Sequence, residues 1–382
     1  MAIYLDYNAS SPIDERVLDT MIDIYKNYPG NPDSRTHDFG KNTRTILEEG
    51  RKKVGNLLNV QSNEVFFTSG ATESNNIAVL GLKEYALRVK KNHIITTSVE
   101  HKAILETMKH LENDGFIIDY VNPNQDGEID VNQIKNLITD KTLLVSIMHV
   151  NNETGVIFPV EEIGELLDST DVLFHIDATQ SAGKLVPELK KIKYDMLTLS
   201  SHKLAGPQGI GALILRRKNY ELPPIKAIMF GGEQEGGIRP GTVPTALVAG
   251  FGKACELAEQ EYEGNFKQLK ECQNAILKLL GDSTIKYSIH GNIEHLIPNT
   301  LNIAFEGINS EALMILTKEF CGISNGSACN SKNYKGSYVL ESMGLNQSEI
   351  ASSVRISWGP HTNLKVLKEE FARLLDVAKN LQ

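Results

Sequence analysis

Residues 172–181 read Val172-Leu173-Phe174-His175-Ile176-Asp177-Ala178-Thr179-Gln180-Ser181, an apolar run that ends on an acid and then on small polar residues. Its apolar residues do not alternate with polar ones, which is the pattern of a strand buried on both faces. The next run, Met196-Leu197-Thr198-Leu199-Ser200, has the same character and leads into Ser201-His202-Lys203. Working outward, similar runs lie at 64–68, 93–97, 116–121, 143–150 and 209–215. The stretches between them, such as 72–89 and 104–113, have room for crossover helices, and right-handed crossovers place helices on both faces of a sheet. The reading is an α/β fold whose mostly parallel seven-stranded sheet spans the middle of the chain.

Beyond residue 215 the pattern changes. Pro223-Pro224 and the glycine-rich stretch 230–237 form a long loop, followed by a helical pattern over 244–280. Strands are predicted at 295–305 and 352–358, and helices at 310–320 and 364–381. These signals predict a large domain over 16–256 and a smaller α+β domain built from 1–15 and 257–382.

Of the 382 residues 41% are hydrophobic and 23% charged, with 13 Pro, the composition of a packed chain and not of a disordered one. Forty-eight acidic against 39 basic residues leave a formal charge of -9, which provides no general attraction to nucleic acid or anionic membranes. No apolar run approaches the roughly 18 residues of a membrane span, and Met1 to Tyr7 lacks the features of a secretion signal. A cytoplasmic protein with no membrane or direct nucleic-acid partner is expected. The four cysteines, Cys255, Cys272, Cys321 and Cys329, include no CxxC pair, so neither a zinc knuckle nor a disulfide framework fits, and no metal site is expected.

Three segments carry chemistry. Phe67-Thr68-Ser69-Gly70-Ala71-Thr72-Glu73-Ser74-Asn75-Asn76 joins a strand end to a helix start, where unpaired N–H groups, the positive dipole end and the hydroxyls of Ser69 and Thr72 suit a phosphate. Alone, it reads more readily as an ordinary helix start capped by Thr72 or Ser74. Asp177 stands at the carboxyl end of its strand, where open α/β sheets bind ligands, although an acid there can also initiate a turn. Lys203 follows a strand among hydroxyls, glycines and a proline, which fits a Schiff-base amine or an exposed loop lysine. Taken together, a phosphate cup, an acid and a lysine at strand ends of one sheet are the fixtures that pyridoxal 5'-phosphate requires: an anchor, a partner for the pyridinium nitrogen and an aldehyde trap.

The runs Tyr4-Leu5-Asp6-Tyr7-Asn8-Ala9, Glu100-His101-Lys102-Ala103, His149-Val150-Asn151-Asn152-Glu153-Thr154-Gly155, Asp177 to Ser181 and Ser201 to Lys203, with the phosphate-cup run, follow one another in the order of the cysteine desulfurase family. The chain resembles that family over essentially its whole length. The resemblance implies a fold type I pyridoxal phosphate enzyme of the class V aminotransferase superfamily, acting as a homodimer with active sites near the subunit interface. It implies that Lys203 holds the cofactor, Asp177 faces the pyridinium nitrogen, and His101 stacks on the ring and moves protons. Asn152 and Gln180 would contact the ring side and phenolic oxygen. Ala71, Thr72, Ser200 and His202 would hold the cofactor's phosphate end, with Thr242 lent by the other subunit, and Arg355 with Asn152 would bind the substrate. His101 could instead cap a helix, Arg355 could be a solvated strand residue and Asn152 could belong to a turn.

Cys329 lies in Asn325-Gly326-Ser327-Ala328-Cys329-Asn330-Ser331, among small polar neighbours that predict a loop where a thiol can ionise, more so if Lys332 and Lys335 lie close. The resemblance implies that it is the persulfide nucleophile, and the stretch from Ser324 to Tyr338 resembles the loop of group I desulfurases. Cys255, Cys272 and Cys321 read as buried structural thiols. The expected activity takes sulfur from L-cysteine, leaves L-alanine and a persulfide on Cys329, and passes the sulfur to an acceptor protein. Two departures leave the acceptor open: Ser357-Trp358-Gly359-Pro360-His361 stands where many members carry arginine after Ser-Leu-Gly, and the chain ends at Gln382 without the tail that docks an iron-sulfur scaffold. Iron-sulfur cluster assembly, tRNA thiolation and DNA phosphorothioation all fit. A selenocysteine lyase or an aminotransferase would retain Lys203, Asp177 and the phosphate cup, while ordinary transamination needs no relay thiol.

Overall fold

The unalternating apolar runs fold as strands, most of them buried along their whole length, while the edge run 117–121 is only partly buried. The computed structural model describes residues 2–325 and 336–382; Cys329, Lys332 and Lys335 lie outside the described residues. In chain order the strands are β1 (Ile3–Tyr4), β2 (Val65–Thr68), β3 (His93–Thr97), β4 (Ile117–Val121), β5 (Thr142–Met148), β6 (Leu173–Asp177), β7 (Met196–Ser200), β8 (Gly211–Leu215), β9 (Tyr287–Ile289), β10 (Thr300–Phe305), β11 (Cys321–Gly322) and β12 (Ser353–Ser357). The seven-stranded sheet has the order β2-β8-β7-β6-β5-β3-β4. β4, β3, β5, β6 and β7 run parallel, whereas β8 is antiparallel to both its neighbours. The chain steps outward from β3 to β4 and then back to β5, so the β3/β5 boundary is the topological switch point, where ligands of such sheets bind.

The N-terminal helices are α1 (Glu15–Asn27), α2 (Asp38–Leu58), α3 (Ala71–Leu80), α4 (Lys83–Val89) and α5 (Lys102–Asn113). In α5, Ala103, Ile104, Thr107, Met108 and Leu111 fall on one buried stripe. Each large apolar side chain so buried contributes about 1.5–3 kcal/mol. The single helix expected over 72–89 is divided in two: Gly81 ends α3, and its carbonyl accepts from Lys226 N at 2.9 Å as the segment after Pro224 crosses there. The pattern over 244–280 likewise forms two helices, Thr245–Gln260 and Tyr262–Asp282, hinged at Glu261, whose carboxylate pairs with Arg16.

A second sheet, β12-β10-β9, is antiparallel, and the helix Leu364–Leu381 packs against the helix Tyr262–Asp282 and against β1 and β11. Beside it β1 pairs with β11, so the N-terminal segment is stitched to the C-terminal part of the chain. Trp358, fully buried, donates from Nε1 to Leu269 O at 3.0 Å. Cys255, Cys272 and Cys321 are buried free thiols, as expected. Among the described residues no helix is long and apolar enough to cross a membrane, and no cluster of potential metal ligands occurs.

The glycine-rich stretch 230–237 is less open than its composition suggests. Glu235 turns inward and takes a fork of two 2.7 Å bonds from Arg51, while its Oε2 also accepts from Phe67 N on β2. Breaking a buried ion pair strands the remaining charge, which costs about 3–5 kcal/mol. Glu235→Ala is therefore expected to lower the stability measured by urea unfolding by about that amount.

Candidate active site

β3, β5, β6 and β7 all end on one side of the sheet, and the turns that follow them line a cavity of about 540 Å³. The walls include Gly70, Ala71 and Thr72 at the start of α3, His101 after β3, Asn152 after β5, Asp177 at the end of β6 and Gln180 beyond it. Ser200 ends β7, His202 and Lys203 follow it, and Arg355 reaches in from β12. Every residue assigned from the sequence lines this one cavity except Thr242, which is exposed elsewhere, and Cys329, which is not among the described residues.

Asp177 is 5% exposed. Its Oδ2 accepts from Asn75 Nδ2 at 2.7 Å and its Oδ1 from Thr179 N at 3.0 Å. A buried carboxylate with only two donors retains acceptor capacity for a third, which is what a pyridinium N–H requires. Lys203 Nζ donates to the carbonyls of Asn8 at 2.6 Å and Ala9 at 2.8 Å. Gln180 Nε2 donates to the same Asn8 carbonyl at 3.0 Å. Asn75 and Asn8 carry these contacts although no function was assigned to them from the sequence. The usable signal was the position of Asn75 on the helix that opens the phosphate cup.

α3 begins with no side-chain cap, so neither Thr72 nor Ser74 plays the capping part. Gly70, with φ +153°, holds a backbone that other residues rarely adopt and brings the chain into the helix start. The first N–H groups of α3 have no acceptor within the helix and face the cavity with the positive dipole end, the arrangement that binds phosphate. His202 closes this side, its Nδ1 3.2 Å from Ser10 Oγ. Burial lowers its pKa to about 4, helped by Lys203 and Lys184, so it is a neutral hydrogen-bonding group.

His101 does both things considered for it. Its Nδ1 accepts from Ala103 N at 3.1 Å, capping α5, while the ring lines the cavity. The cap requires an unprotonated Nδ1, which leaves the neutral ring's proton on Nε2. Burial lowers its pKa, with Lys203 and Lys102 acting in the same direction and Asp177 opposing them. Arg355, 3% exposed, is not a solvated strand residue. Its Nη2 pairs with Asp6 Oδ1 at 2.6 Å and its Nη1 donates to Asn152 O at 3.0 Å, so its fork is engaged and its Nε carries no bond.

Pyridoxal phosphate fits these residues. Among the described residues the side-chain oxygens of Asn152, Thr179 and Gln180 are buried without hydrogen-bond partners, although buried polar atoms are rarely left unmatched. They surround the same cavity as the helix start, the acid and the amine. These atoms are the places where a polar planar ligand would complete the bonding.

A family model described as Aminotransferase class-V matches residues 3–367. Cysteine desulfurase IscS of Pasteurella multocida (strain Pm70) is 41% identical over 383 residues, which span 100% of this chain and 92% of the relative. Among solved structures, a NifS-like protein has a TM-score of 0.91 at 32% identity, with 100% of both chains covered. SspA in complex with cysteine has a TM-score of 0.82 at 34% identity, covering 94% of this chain and 99% of that one. The chain belongs to the class-V aminotransferases, which are pyridoxal-phosphate-dependent enzymes. Within that class it falls in the cysteine desulfurase family.

Behind His101 sits Glu100, with no exposure at all. Its Oε1 accepts from Thr97 Oγ1 and Met148 N, both at 2.9 Å, and its Oε2 is unpartnered. Burial raises its pKa from 4.5 to about 8 against the pull of those two bonds. The folded chain thus holds this proton longer than the unfolded chain, and stability falls as pH rises from 4.5 through about 8. Glu100→Gln removes that decline. Thermal melts should coincide for the two proteins near about pH 5 and diverge in favour of the variant toward about pH 8.5.

Proposed function

We propose that the chain removes sulfur from L-cysteine, leaving L-alanine, and carries the sulfur as a persulfide on Cys329 to an acceptor protein. The observation that supports this reading best is the junction between the cavity and the Cys329 segment. Ser324 pairs with Arg355 in both directions, Arg355 N donating to Ser324 O at 2.6 Å and Ser324 N to Arg355 O at 3.2 Å. Arg355 is a wall of the cavity. At the other end Ser337 donates to buried Glu153 at 2.5 Å and Tyr338 donates to the Glu100 carbonyl at 2.7 Å. Cys329 is five residues from Ser324 in the sequence. The described residues that flank its segment thus bond to Arg355 in the cavity wall and to Glu153 and Glu100, the neighbours of Asn152 and His101.

Pyridoxal phosphate, when bound, supplies an electron sink that makes the proton on the substrate's α-carbon acidic. The N–H groups at Ala71 and Thr72, with Ser200 and His202, hold its phosphate. Asp177 keeps the ring nitrogen protonated, and Asn152 and Gln180 orient the ring. Lys203 anchors the cofactor and, once free, takes the α-proton on Nζ. Arg355 orients the substrate carboxylate, for which the carboxylate must share or displace Asp6. His101 exchanges a proton at the substrate sulfur through Nε2. The Cys329 thiolate attacks that sulfur: an S–S bond forms as the substrate's C–S bond breaks, and the carbon skeleton leaves as alanine after protonation.

We read residues 16–256 as the cofactor unit and residues 1–15 with 257–382 as the unit that carries Cys329. A second copy of the chain would bring Thr242 to the phosphate of the opposite cavity. The destination of the sulfur is a partner protein serving cluster assembly, tRNA thiolation or DNA phosphorothioation.

Cys329→Ser separates this reading from an aminotransferase. The variant is expected to keep the visible absorbance of bound cofactor while protein-bound persulfide from L-cysteine disappears, followed by tag-switch labelling alongside alanine release. Undiminished persulfide in the variant, or alanine formed with no sulfur transfer in the unaltered enzyme, would reject it.

A further inference from the structure

Lys203 lies between two cavities. One is the cofactor cavity; the other, of about 520 Å³, is walled mainly by apolar residues including Leu204, Leu257, Leu269 and Trp358, and Lys184 lines it together with Lys203. Lys184 belongs to the turn after β6, seven residues beyond Asp177, and its Nζ donates to Gln180 O at 2.9 Å. Gln180 in turn donates from Nε2 to the Asn8 carbonyl that also accepts from Lys203. One short chain of bonds therefore connects the two amines.

Lys184 has no carboxylate partner among the described residues. The acids on the wall of its cavity are Asp14, Glu15 and Glu261, and two of these are committed to Arg16. Tyr7 and His361 complete the titratable groups there. Among the described residues, the titratable groups that line the cofactor cavity with Lys203 are Asp177, His101, His202, Glu73 and Arg355, with Glu73 bound to Arg239 and Arg355 to Asp6. Lys184 is half-buried on a mainly apolar wall, where an ammonium with a single carbonyl acceptor is poorly stabilised and a second ammonium nearby makes it worse. Burial, followed by the charge of Lys203, lowers the Lys184 pKa to about 7.

We infer that Lys184 is a positioning residue that acts on Lys203 through a shared charge: the two amines carry one cation between them, Lys184 taking a proton when Lys203 gives its own up and releasing it when Lys203 is protonated. Interacting sites of this kind titrate as a pair. This rests on the assignment of Lys203 as the cofactor amine. During turnover Lys203 changes from a group without a proton to an ammonium holding the substrate's α-proton. As Lys203 gains that proton Lys184 gives up its own to water through the cavity it lines, so the turn that carries Asp177 and Gln180 feels a constant charge.

The test is competitive acetylation of the full-length, cofactor-stripped chain across pH, with Lys184 and Lys203 read separately by peptide mass spectrometry. In the unaltered chain Lys184 is expected to titrate well below an ordinary lysine. In Lys203→Met its midpoint should rise by on the order of one unit, because the like charge is gone. Lys184→Arg, which fixes a cation in the same place, should lower the Lys203 midpoint, while Lys184→Met should not. A Lys184 midpoint at ordinary lysine values in the unaltered chain, or one unmoved by Lys203→Met, overturns the inference; the first outcome needs no variant to fold. Borohydride reduction of the cofactor-loaded enzyme separates the two assignments. A tag on a residue other than Lys203 overturns the cofactor reading, whereas a tag on Lys203 with uncoupled midpoints overturns only the part given to Lys184.

Discussion

Burial of the Asp177 carboxylate at the end of β6 is the constraint around which the site is arranged. A carboxylate taken out of water is stabilised only by bonds that replace its hydration, and the two that Asp177 has each fix something else. Asn75 sits on α3, so the bond that satisfies Oδ2 also locates the helix whose first N–H groups face the cavity. Thr179 N belongs to the turn that carries Gln180 and then Lys184, so the bond to Oδ1 shapes that turn. Anchor, acid and turn are therefore positioned as one unit by the charge that one of them buries.

Asn8 extends this unit to the rest of the chain. Its carbonyl receives Lys203 and Gln180, its own N–H donates to Ser357 Oγ at 2.9 Å, and its side chain donates to Thr300 Oγ1 at 2.9 Å. Ser357 and Thr300 belong to the second sheet. One buried asparagine thus couples the lysine of the first sheet to the sheet that presents Arg355, with Asp6 two residues earlier holding the arginine itself. A shift between the sheets would break bonds to a buried amide and a buried guanidinium at once, each costing roughly 1–3 kcal/mol or more. That explains why a segment of little regular structure lies at the centre of the site.

What was legible in the sequence follows from what each signal measures. Strands buried on both faces appear as continuous apolar runs, so all seven strands of the large sheet were found, within one or two residues at most ends. Direction is not encoded in such runs, and the antiparallel course of β8 is set by a short connection from β7 through Lys203. Helix breaks at Gly81 and Glu261 went unseen because each depends on a segment arriving from far away in sequence: the stretch after Pro224 at one and Arg16 at the other. Glu235 read as loop because glycines surround it, while its buried ion pair with Arg51 joins residues 184 positions apart. Asn8 and Asn75 could be seen as part of a pattern without their bonding being visible, since an asparagine's partners are a tertiary fact.

The electrostatics of the site follow from these same contacts. His101, His202, His149 and His175 all have pKa values lowered chiefly by burial, the last three to about 4. Glu100 and Glu153 are pushed the other way by burial, toward the neutral acid. Of these, His101 and His202 line the cavity, and among the described residues the charged groups beside it are Asp177, the Arg355–Asp6 and Arg239–Glu73 pairs, and the amines on the Lys203 side. In a water-poor cavity each such charge acts more strongly than it would in solvent. On the proposed reading Asp177 would act on the ring nitrogen with few competing charges, and a change of one proton on Lys203 would be felt by its neighbours. The neutral rings of His101 and His202 on the cavity wall would then be part of how one acid and one amine control proton movement at one carbon atom.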